Sequence, residues 1–203
     1  SDNPTGLFAQ VAAMVPVISD RLVVQLGFDS DPRFLLGVPK VLPFFRVCWL
    51  EYACPSYKGR LLQTGDVAYA FGSAPSFRKG RGVIPGKCVS TVSDWKMPRQ
   101  NPNKEKGGRQ NGALPHPAPR RLQHVQWLVK WFEDGSVCDP FAGIGTTLLA
   151  AKNVGIKATG IEINEQFCEF AAIRLEAANP WLMDLSKITG DLAASNLRPG
   201  RRW

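Results

Sequence analysis

The stretch SVCDPFAGIGTTLLAAKNVGIKATGIEIN, residues 136–164, contains the pattern that decides the fold. An apolar strand ends in Asp139, a turn with two glycines and a helix follow, and a second strand ends near Glu162. Glycines allow a tight turn and a close approach of a ligand to the backbone. Glu162 follows Asp139 by 23 residues, near the usual offset of about 20 for a carboxylate that binds a ribose. The combination predicts nucleoside-like cofactor binding rather than an ordinary strand, turn and helix.

The composition is that of a globular chain of one domain. Of the 203 residues, 44% are apolar and 21% are charged, and 16 Pro and 19 Gly indicate long loops. The five cysteines are odd in number and form no CxxC pair, so no metal site or disulfide framework is expected. Reduced cysteines predict a cytoplasmic protein. No apolar run reaches the ~18 residues of a membrane-spanning helix, and no secretory signal is visible.

Positive charge is concentrated in one segment. Residues 73–121 carry eleven Lys or Arg and two acids, a net charge of +9, whereas the rest of the chain sums to −1. A solvated loop is one explanation, but a localised cationic loop between folded regions also suits a phosphate backbone. The candidate nucleic-acid contacts are Arg78, Lys79, Arg81, Lys87, Lys96, Arg99, Lys104 and Arg109.

Apolar periodicity and chain-breaking residues predict the secondary structure. Strands are predicted at 21–28, 44–52, 65–72, 136–139 and 157–163. Helices are predicted at 3–19, 120–134, 146–154 and 164–178, with a helical or irregular piece at 31–40. The continuous apolar run 21–28 is typical of a strand buried on both faces, and Pro and Gly predict an irregular connection over 53–64.

Four side chains near the glycine turn have expected roles of their own. Thr146 and Thr147 are expected to cap the helix that follows the turn, whose free N–H groups favour polar or anionic ligand groups. Cys138 is expected to be a small core residue beneath the turn. His124 lies in an amphipathic helix, and we interpret it as structural.

The motifs DPFAGIGTT (139–147) and GIEINEQFCEFAAIRL (160–175) resemble the cofactor-binding half of DNA amino-methyltransferases that use S-adenosylmethionine. HPAPRRLQHVQWLVKWF (116–132) is similar to the segment that helps hold the methionine end of the cofactor in this family. CPSYKGRLLQTGDVAYAFG (54–72) is similar to the loop and strand before the target-recognition region. The recognition region precedes the cofactor loop, which is the order of the circularly permuted beta group.

The resemblance implies a fold and a division of the chain. We expect a Rossmann-like class I methyltransferase fold of the α/β class, with a mixed, mostly parallel sheet flanked by helices in circularly permuted order. The single domain, 1–203, would divide into a target-base half lacking its first strand (1–72), a basic recognition loop region (73–115), a cofactor-binding half (116–178) and a C-terminal extension (179–203).

The resemblance also implies ligands and partners. Glu162 would bind the ribose of S-adenosylmethionine, and His116 with Pro117 would lie near its methionine group. The implied cofactor residues are Asp139, Pro140, Phe141, Ala142, Gly143, Gly145, Thr146, Thr147, Glu162, Ile163, His116 and Pro117. The expected partner is double-stranded DNA, and a homodimer is a further expectation because the permuted group often pairs. A bacterial, phage or prophage origin is expected.

One departure from the family affects the catalytic residues. The family's tetrapeptide, an Asp, Asn or Ser followed by Pro-Pro and an aromatic residue, is absent, and the chain has no Pro-Pro pair. In the permuted order it precedes the helix at 3–19, so we expect it upstream of residue 1. CPSY (54–57) is the nearest imitation, but it would leave only 58 residues before His116 for several elements and a recognition region. The catalytic residues are therefore unassigned.

Three functions stay open at this point. The first is a DNA methyltransferase that modifies the exocyclic amine of adenine (N6) or cytosine (N4). The second is an RNA N-methyltransferase, because a related glycine loop serves RNA amines as well. The third is a cofactor-binding or DNA-binding protein without catalysis.

Overall fold

The computed structural model describes residues 3–76, 82–90 and 120–176. Its helices are α1 Pro4–Ile18, α2 Leu122–Phe132, α3 Thr146–Asn153 and α4 Glu165–Glu176, with a 3₁₀ helix at Pro32–Gly37. Its strands are β1 Arg21–Leu26, β2 Phe44–Lys58, β3 Leu61–Gly72, β4 Lys87–Val89, β5 Ser136–Asp139 and β6 Lys157–Gly160. The predicted α/β class is confirmed.

The described strands form two sheets. One has four strands in the order β1-β3-β2-β4, and the other pairs β5 with β6. Strand β3 is antiparallel to β1 and β2, whereas β4 is parallel to β2 and β6 is parallel to β5. The mixed character is as predicted, but antiparallel pairs are as frequent as parallel ones, so "mostly parallel" does not hold for the described strands.

Strand β1 differs from its prediction in length and burial. It ends at Leu26 rather than at residue 28, because Gly27 and Ser30 close a turn in which the Ser30 N–H donates to the Gly27 carbonyl (3.0 Å). Val24 and Leu26 are buried, but the other side chains of the strand are half-buried. The expected burial on both faces is met only in part, because Val24 and Leu26 are buried in the core with α1 whereas Val23 is half-buried against the core with α2.

Strands β2 and β3 form a long hairpin where the sequence predicts an irregular connection over 53–64. The turn has only two residues, Gly59–Arg60, and Gly59 has φ +62°, which glycine adopts without a Cβ penalty. Pro55 lies in the register shift between Glu51 and Ser56, a bulge where the strand does not need its N–H. The predicted break is therefore wrong, because the bulge and the turn accommodate Pro and Gly within the hairpin.

Helix α1 begins as predicted. The Asn3 side chain accepts a hydrogen bond from the Gly6 N–H (2.8 Å), and Pro4 occupies the first turn. Phe8 and Val15 of α1 pack in one core with Val24 and residues of the 3₁₀ helix. Helix α1 and the 3₁₀ helix thus cover one face of the four-stranded sheet.

Helix α2 contributes to two cores, and its predicted apolar stripe is confirmed. Leu128 and Phe132 pack with residues of β2 and β3, opposite to α1. Val125 and Val129 pack with Ala150 and other residues around α3. Helix α2 therefore lies between the four-stranded sheet and the β5–α3–β6 unit.

The contacts at the two ends of α2 give its direction. Arg21, at the start of β1, donates to the Phe132 carbonyl (2.6 Å), and Arg120 donates to the Gln25 carbonyl near the end of β1 (3.3 Å). Helix α2 is therefore antiparallel to β1. Residues 133–135 connect it to β5, whose Val137 packs against the core that Val125 and Val129 of α2 share with α3. Strand β5 consequently runs back along α2, so β1 and β5 end at one side of the fold, here called the carboxyl edge.

His124 is a buried histidine of α2, in agreement with the structural interpretation. Its side chain has no exposed surface, and its Nε2 lies 3.0 Å from the Glu51 carbonyl. Its Nδ1 is buried without a hydrogen-bond partner in the described ranges. Burial lowers the pKa of His124 despite the opposing effect of the Glu51 carbonyl.

We predict that His124 makes the folded state sensitive to acid. Because its pKa is lower folded than unfolded, the unfolded chain binds more protons once the pH falls below about 6.5. Stability is then lost by up to about 1.4 kcal/mol per pH unit, until the pH reaches the folded-state pKa. Urea unfolding of the wild type and His124→Gln at pH 7.5 and 5.5 measures this loss. His116→Gln, which changes the only other histidine, is the control, and an equal loss in His124→Gln would contradict the prediction.

Candidate cofactor site

The turn after β5 is connected to the chain that leaves β6. The Asp139 side chain accepts a hydrogen bond from the Phe141 N–H (3.0 Å), which starts the turn. The Asp139 carbonyl accepts from the Ile161 N–H (2.9 Å), and the Ile161 carbonyl accepts from the Ala142 N–H (3.0 Å). The carboxyl ends of β5 and β6 are thus held together at the turn.

Two glycines of this turn have left-handed backbone conformations. Gly143 has φ +53° and Gly145 has φ +75°. A Cβ on Gly145 would lie 2.8 Å from the Cβ of Ala171 in α4, so only glycine fits this conformation and this packing. Gly145 is also the N-cap of α3, without a side-chain cap. The expectation that Thr146 and Thr147 cap α3 is wrong, because both already lie inside its first turn.

Glu162 faces the glycine turn. Its Oε2 accepts a hydrogen bond from the Gly143 N–H (2.8 Å) and its Oε1 accepts from the Asn164 N–H (2.8 Å). Strand β6 ends at Gly160 rather than at residue 163, because the chain bends there to bring the carboxylate to the turn. The side chain is half-buried, and each carboxylate oxygen keeps a second lone pair for another donor.

Apolar surface flanks Glu162 in the sequence and in the turn. Ile163 is fully exposed, and Phe141 is 48% exposed. Pro140 is half-buried, and Ala142 is buried beneath the turn. Exposed side chains of this size offer area to the flat face of an aromatic ligand.

Arg174 of α4 supports the turn, a role that no sequence pattern indicates. Its Nη1 donates to the Ile144 carbonyl and lies 3.4 Å from the Thr146 hydroxyl. Burial lowers the pKa of Arg174. A single arginine in an amphipathic helix does not reveal which carbonyl it meets about 30 residues away, so only the structure identifies this support.

Cys138 does not lie in the core. The structure leaves it exposed, and Ser136 on the same face of β5 is exposed too, whereas Val137 points into the core around α3. The prediction took an apolar strand to be buried on both faces. In the described part of the chain, the β5–β6 pair is instead covered on the α3 side.

Most of the residues predicted to contact nucleic acid or the methionine group of the cofactor lie outside the described ranges. His116 and Pro117 lie outside the described residues, as do Arg78, Lys79, Arg81, Lys96, Arg99, Lys104 and Arg109. Lys87 begins β4, where its Nζ forms an ion pair with Glu51 (3.2 Å). Within the described ranges, no group of three or more acidic, His or Cys side chains could hold a metal ion, and no helix has the length and apolarity to cross a membrane.

Sequence comparison identifies the family that this turn resembles. A family model described as DNA methylase, N6_N4_Mtase, matches residues 73–173. Residues 73–173, which include the glycine turn, α3 and Glu162, are thus similar to this family of DNA methylases.

Two curated relatives match part of the chain. YubD from Escherichia coli (strain K12) is 32% identical over 113 residues, 55% of this chain and 44% of YubD. The type II methyltransferase M.ScaI from Streptomyces caespitosus is 34% identical over 85 residues, 41% of this chain and 27% of M.ScaI. The matched stretch is therefore less than half the length of either relative.

Solved structures share the fold. The PvuII DNA methyltransferase, described as cytosine-N4-specific, superposes with a TM-score of 0.58 over 92% of this chain and 74% of its own at 18% identity. The M1.HpyAVI–SAM complex superposes with a TM-score of 0.57 over 84% of this chain and 83% of its own, also at 18% identity. The fold is thus that of methyltransferases, as predicted, whereas neither likeness tests the circular permutation.

We predict that Gly145→Ala destabilises the protein more than the same change at another left-handed glycine. Gly155 has φ +74° but open space around its Cβ position, so Gly155→Ala costs only the backbone strain of about 1–2 kcal/mol. Gly145→Ala adds a clash with Ala171, and overpacking typically costs about 1–3 kcal/mol more. Urea unfolding of both variants measures the difference. Equal losses would show that close packing does not restrict Gly145.

Proposed function

We propose that the chain is the cofactor-binding and DNA-binding part of a DNA methyltransferase. It would transfer a methyl group from S-adenosylmethionine to the exocyclic amine of adenine (N6) or cytosine (N4). The observation that carries the proposal is the hydrogen bond from the Gly143 N–H to Glu162, because it holds a carboxylate with spare lone pairs against a glycine turn. The match to the DNA methylase family and the SAM complex of M1.HpyAVI support it.

The described residues fit the adenosine part of this cofactor. Glu162 would accept hydrogen bonds from the ribose hydroxyls. Phe141 and Ile163 would flank the adenine with their exposed apolar surface. Gly143 and Gly145 leave the turn without side chains where the cofactor would approach it. The remaining residues of the proposed site are Asp139, Pro140, Ala142, Thr146 and Thr147, with His116 and Pro117 for the methionine group.

The mechanism we propose is based on positioning. S-adenosylmethionine supplies an electrophilic methyl group on its sulfonium sulfur. The chain holds the ribose through Glu162 and keeps the glycine turn in one conformation through the contacts of Asp139 and Arg174. Orienting an amine and a methyl group about 3–3.5 Å apart provides much of the acceleration, and no covalent bond to the enzyme is needed.

Double-stranded DNA is the proposed substrate. The family model is that of DNA methylases, and PvuII methyltransferase is described as specific for cytosine N4. The net charge of +9 over residues 73–121 would attract a phosphate backbone. Both bases remain in the proposal, because no described residue distinguishes adenine from cytosine.

We predict that Glu162→Gln weakens the binding of S-adenosylmethionine at least roughly tenfold. The glutamine oxygen can still accept from the Gly143 N–H, whereas the bond from the Asn164 N–H and the charged acceptor for the ribose are lost. Hydrogen bonds to charged groups typically contribute about 1.5–3 kcal/mol. Isothermal titration calorimetry measures the affinity, with Glu165→Gln, an exposed residue in the first turn of α4, as the matched control. Unchanged affinity in Glu162→Gln would contradict the assignment of Glu162.

We also predict which nucleic acid the chain methylates. With labelled S-adenosylmethionine, duplex DNA is expected to gain label and structured RNA is not, because the family is that of DNA methylases. Mass spectrometry of the digested product then gives N6-methyladenine or N4-methylcytosine. Label in RNA alone would support the RNA methyltransferase, whereas cofactor binding without transfer to either would support a non-catalytic binding protein.

A further inference from the structure

A buried acidic residue lies beside the end of β1 in the four-stranded sheet. Asp66 of β3 is 7% exposed. Its Oδ1 accepts a hydrogen bond from the Tyr52 hydroxyl (2.6 Å), and its Oδ2 accepts from the Gln25 side chain (3.1 Å). Burial, followed by the hydrogen bond to Asp66, raises the pKa of Tyr52. These contacts fix the carboxylate in one position.

Two arginines before α2 meet this carboxylate and its partner. Arg120 Nη1 lies 3.7 Å from Asp66 Oδ2, and Arg120 Nη2 donates to the Gln25 carbonyl (3.3 Å). The Arg121 guanidinium lies 4.0 Å above the Tyr52 ring, and its Nη1 donates to the Ser90 hydroxyl (3.4 Å). The start of α2 is therefore held against the end of β1, the middle of β2 and the residue that follows β4.

Arg120 keeps exposed surface although it is paired. Asp66 is its ion-pair partner in the described residues. Glu51 is instead paired with Lys87. The Arg120 side chain remains 40% exposed, and a guanidinium has five N–H donors, of which the Gln25 carbonyl takes one. Arg120 can thus donate to an oxyanion from solvent while its other side stays fixed.

The contacts of Arg120 with described residues lie in the four-stranded sheet. They involve Gln25 in β1 and Asp66 in β3, and in the described residues none involves the turn 140–145 or Glu162. However, β1 and β5 end at the same carboxyl edge. In α/β folds, ligands bind outside the carboxyl ends of the strands, so a substrate presented to the glycine turn would also cover the end of β1.

We propose that Arg120 binds a phosphate oxygen of the DNA backbone. Arginine suits this role because its planar group donates to phosphate oxygens in a fixed geometry. The ion pair with Asp66 and the hydrogen bond to Gln25 position the guanidinium before DNA arrives, so less side-chain freedom is lost on binding. The proposal rests on the proposed function, since it takes DNA to be the substrate.

Salt dependence of DNA binding tests this proposal. Each neutralised phosphate adds about −0.9 to the slope of log K against log salt. Arg120→Met and Arg120→Gln should both make the slope less negative by about 0.9 on any duplex sequence, whereas Arg120→Lys should retain it. Arg33→Met is the matched control, because Arg33 is 83% exposed on the 3₁₀ helix and pairs with Asp31. Fluorescence anisotropy with a labelled duplex, at salt concentrations from about 0.05 to 0.3 M, gives the slopes.

Two further measurements exclude unfolding and a cofactor contact as causes of a changed slope. Thermal melts verify that the variants are folded, and Arg120→Gln can still donate to the Gln25 carbonyl if the Met variant is unstable. Calorimetry with S-adenosylmethionine on every Arg120 variant separates a phosphate contact from a contact with the methionine end of the cofactor, which the segment 116–132 is expected to help hold. An unchanged salt slope in the folded Met and Gln variants overturns the proposal, and so does a loss of cofactor affinity with unchanged DNA binding, which would assign Arg120 to a carboxylate of the cofactor.

Failure of the phosphate contact can be distinguished from failure of the proposed function. If the wild-type chain binds DNA but no S-adenosylmethionine, the proposed function fails, while the salt slopes still report on Arg120. If the cofactor binds with the expected dependence on Glu162 and the slope of Arg120→Met is unchanged, only the phosphate contact fails.

Discussion

Much of this structure depends on one helix that packs into two cores. Leu128 and Phe132 bury apolar area against β2 and β3, while Val125 and Val129 bury it against α3. Full burial of such a side chain contributes about 1.5–3 kcal/mol, so α2 cannot turn toward one core without losing contacts in the other. The packing of α2 therefore determines where the glycine turn lies relative to the end of β1. It thereby also sets the relative position of the two proposed binding sites.

The glycine turn is organised by contacts within the chain. Gly143 gives its N–H to Glu162, Asp139 accepts from the turn that it starts, and Arg174 donates to the carbonyl of Ile144. A ligand that binds such a turn does not have to order it first, which removes part of the cost of binding. The cost of ordering is reduced for Arg120 as well, because Asp66 fixes its position before any partner is present.

Features encoded by near neighbours could be predicted from the sequence, and features that depend on distant partners could not. The Asn3 cap, the stripe on α2 and the pattern from Asp139 to Gly145 each follow from a few adjacent residues. The hairpin around Pro55 required knowledge of a bulge opposite β3. Exposure of Cys138 depends on what covers the other face of β5, and Arg174 meets a carbonyl that sequence patterns do not indicate.

The two carboxylates at the carboxyl edge have different physical roles. Asp66 is buried, and its acceptors are engaged by Tyr52, Gln25 and the nearby Arg120. Recruiting it as a proton acceptor would leave buried donors unpaired, at a cost of about 1–3 kcal/mol each, so it serves to hold the arginine. Glu162 is half-buried and, within the described ranges, accepts from two backbone N–H groups, which leaves lone pairs for two adjacent hydroxyls. Burial and the number of partners thus separate a positioning carboxylate, Asp66 within β3, from a ligand-binding one, Glu162 just after β6.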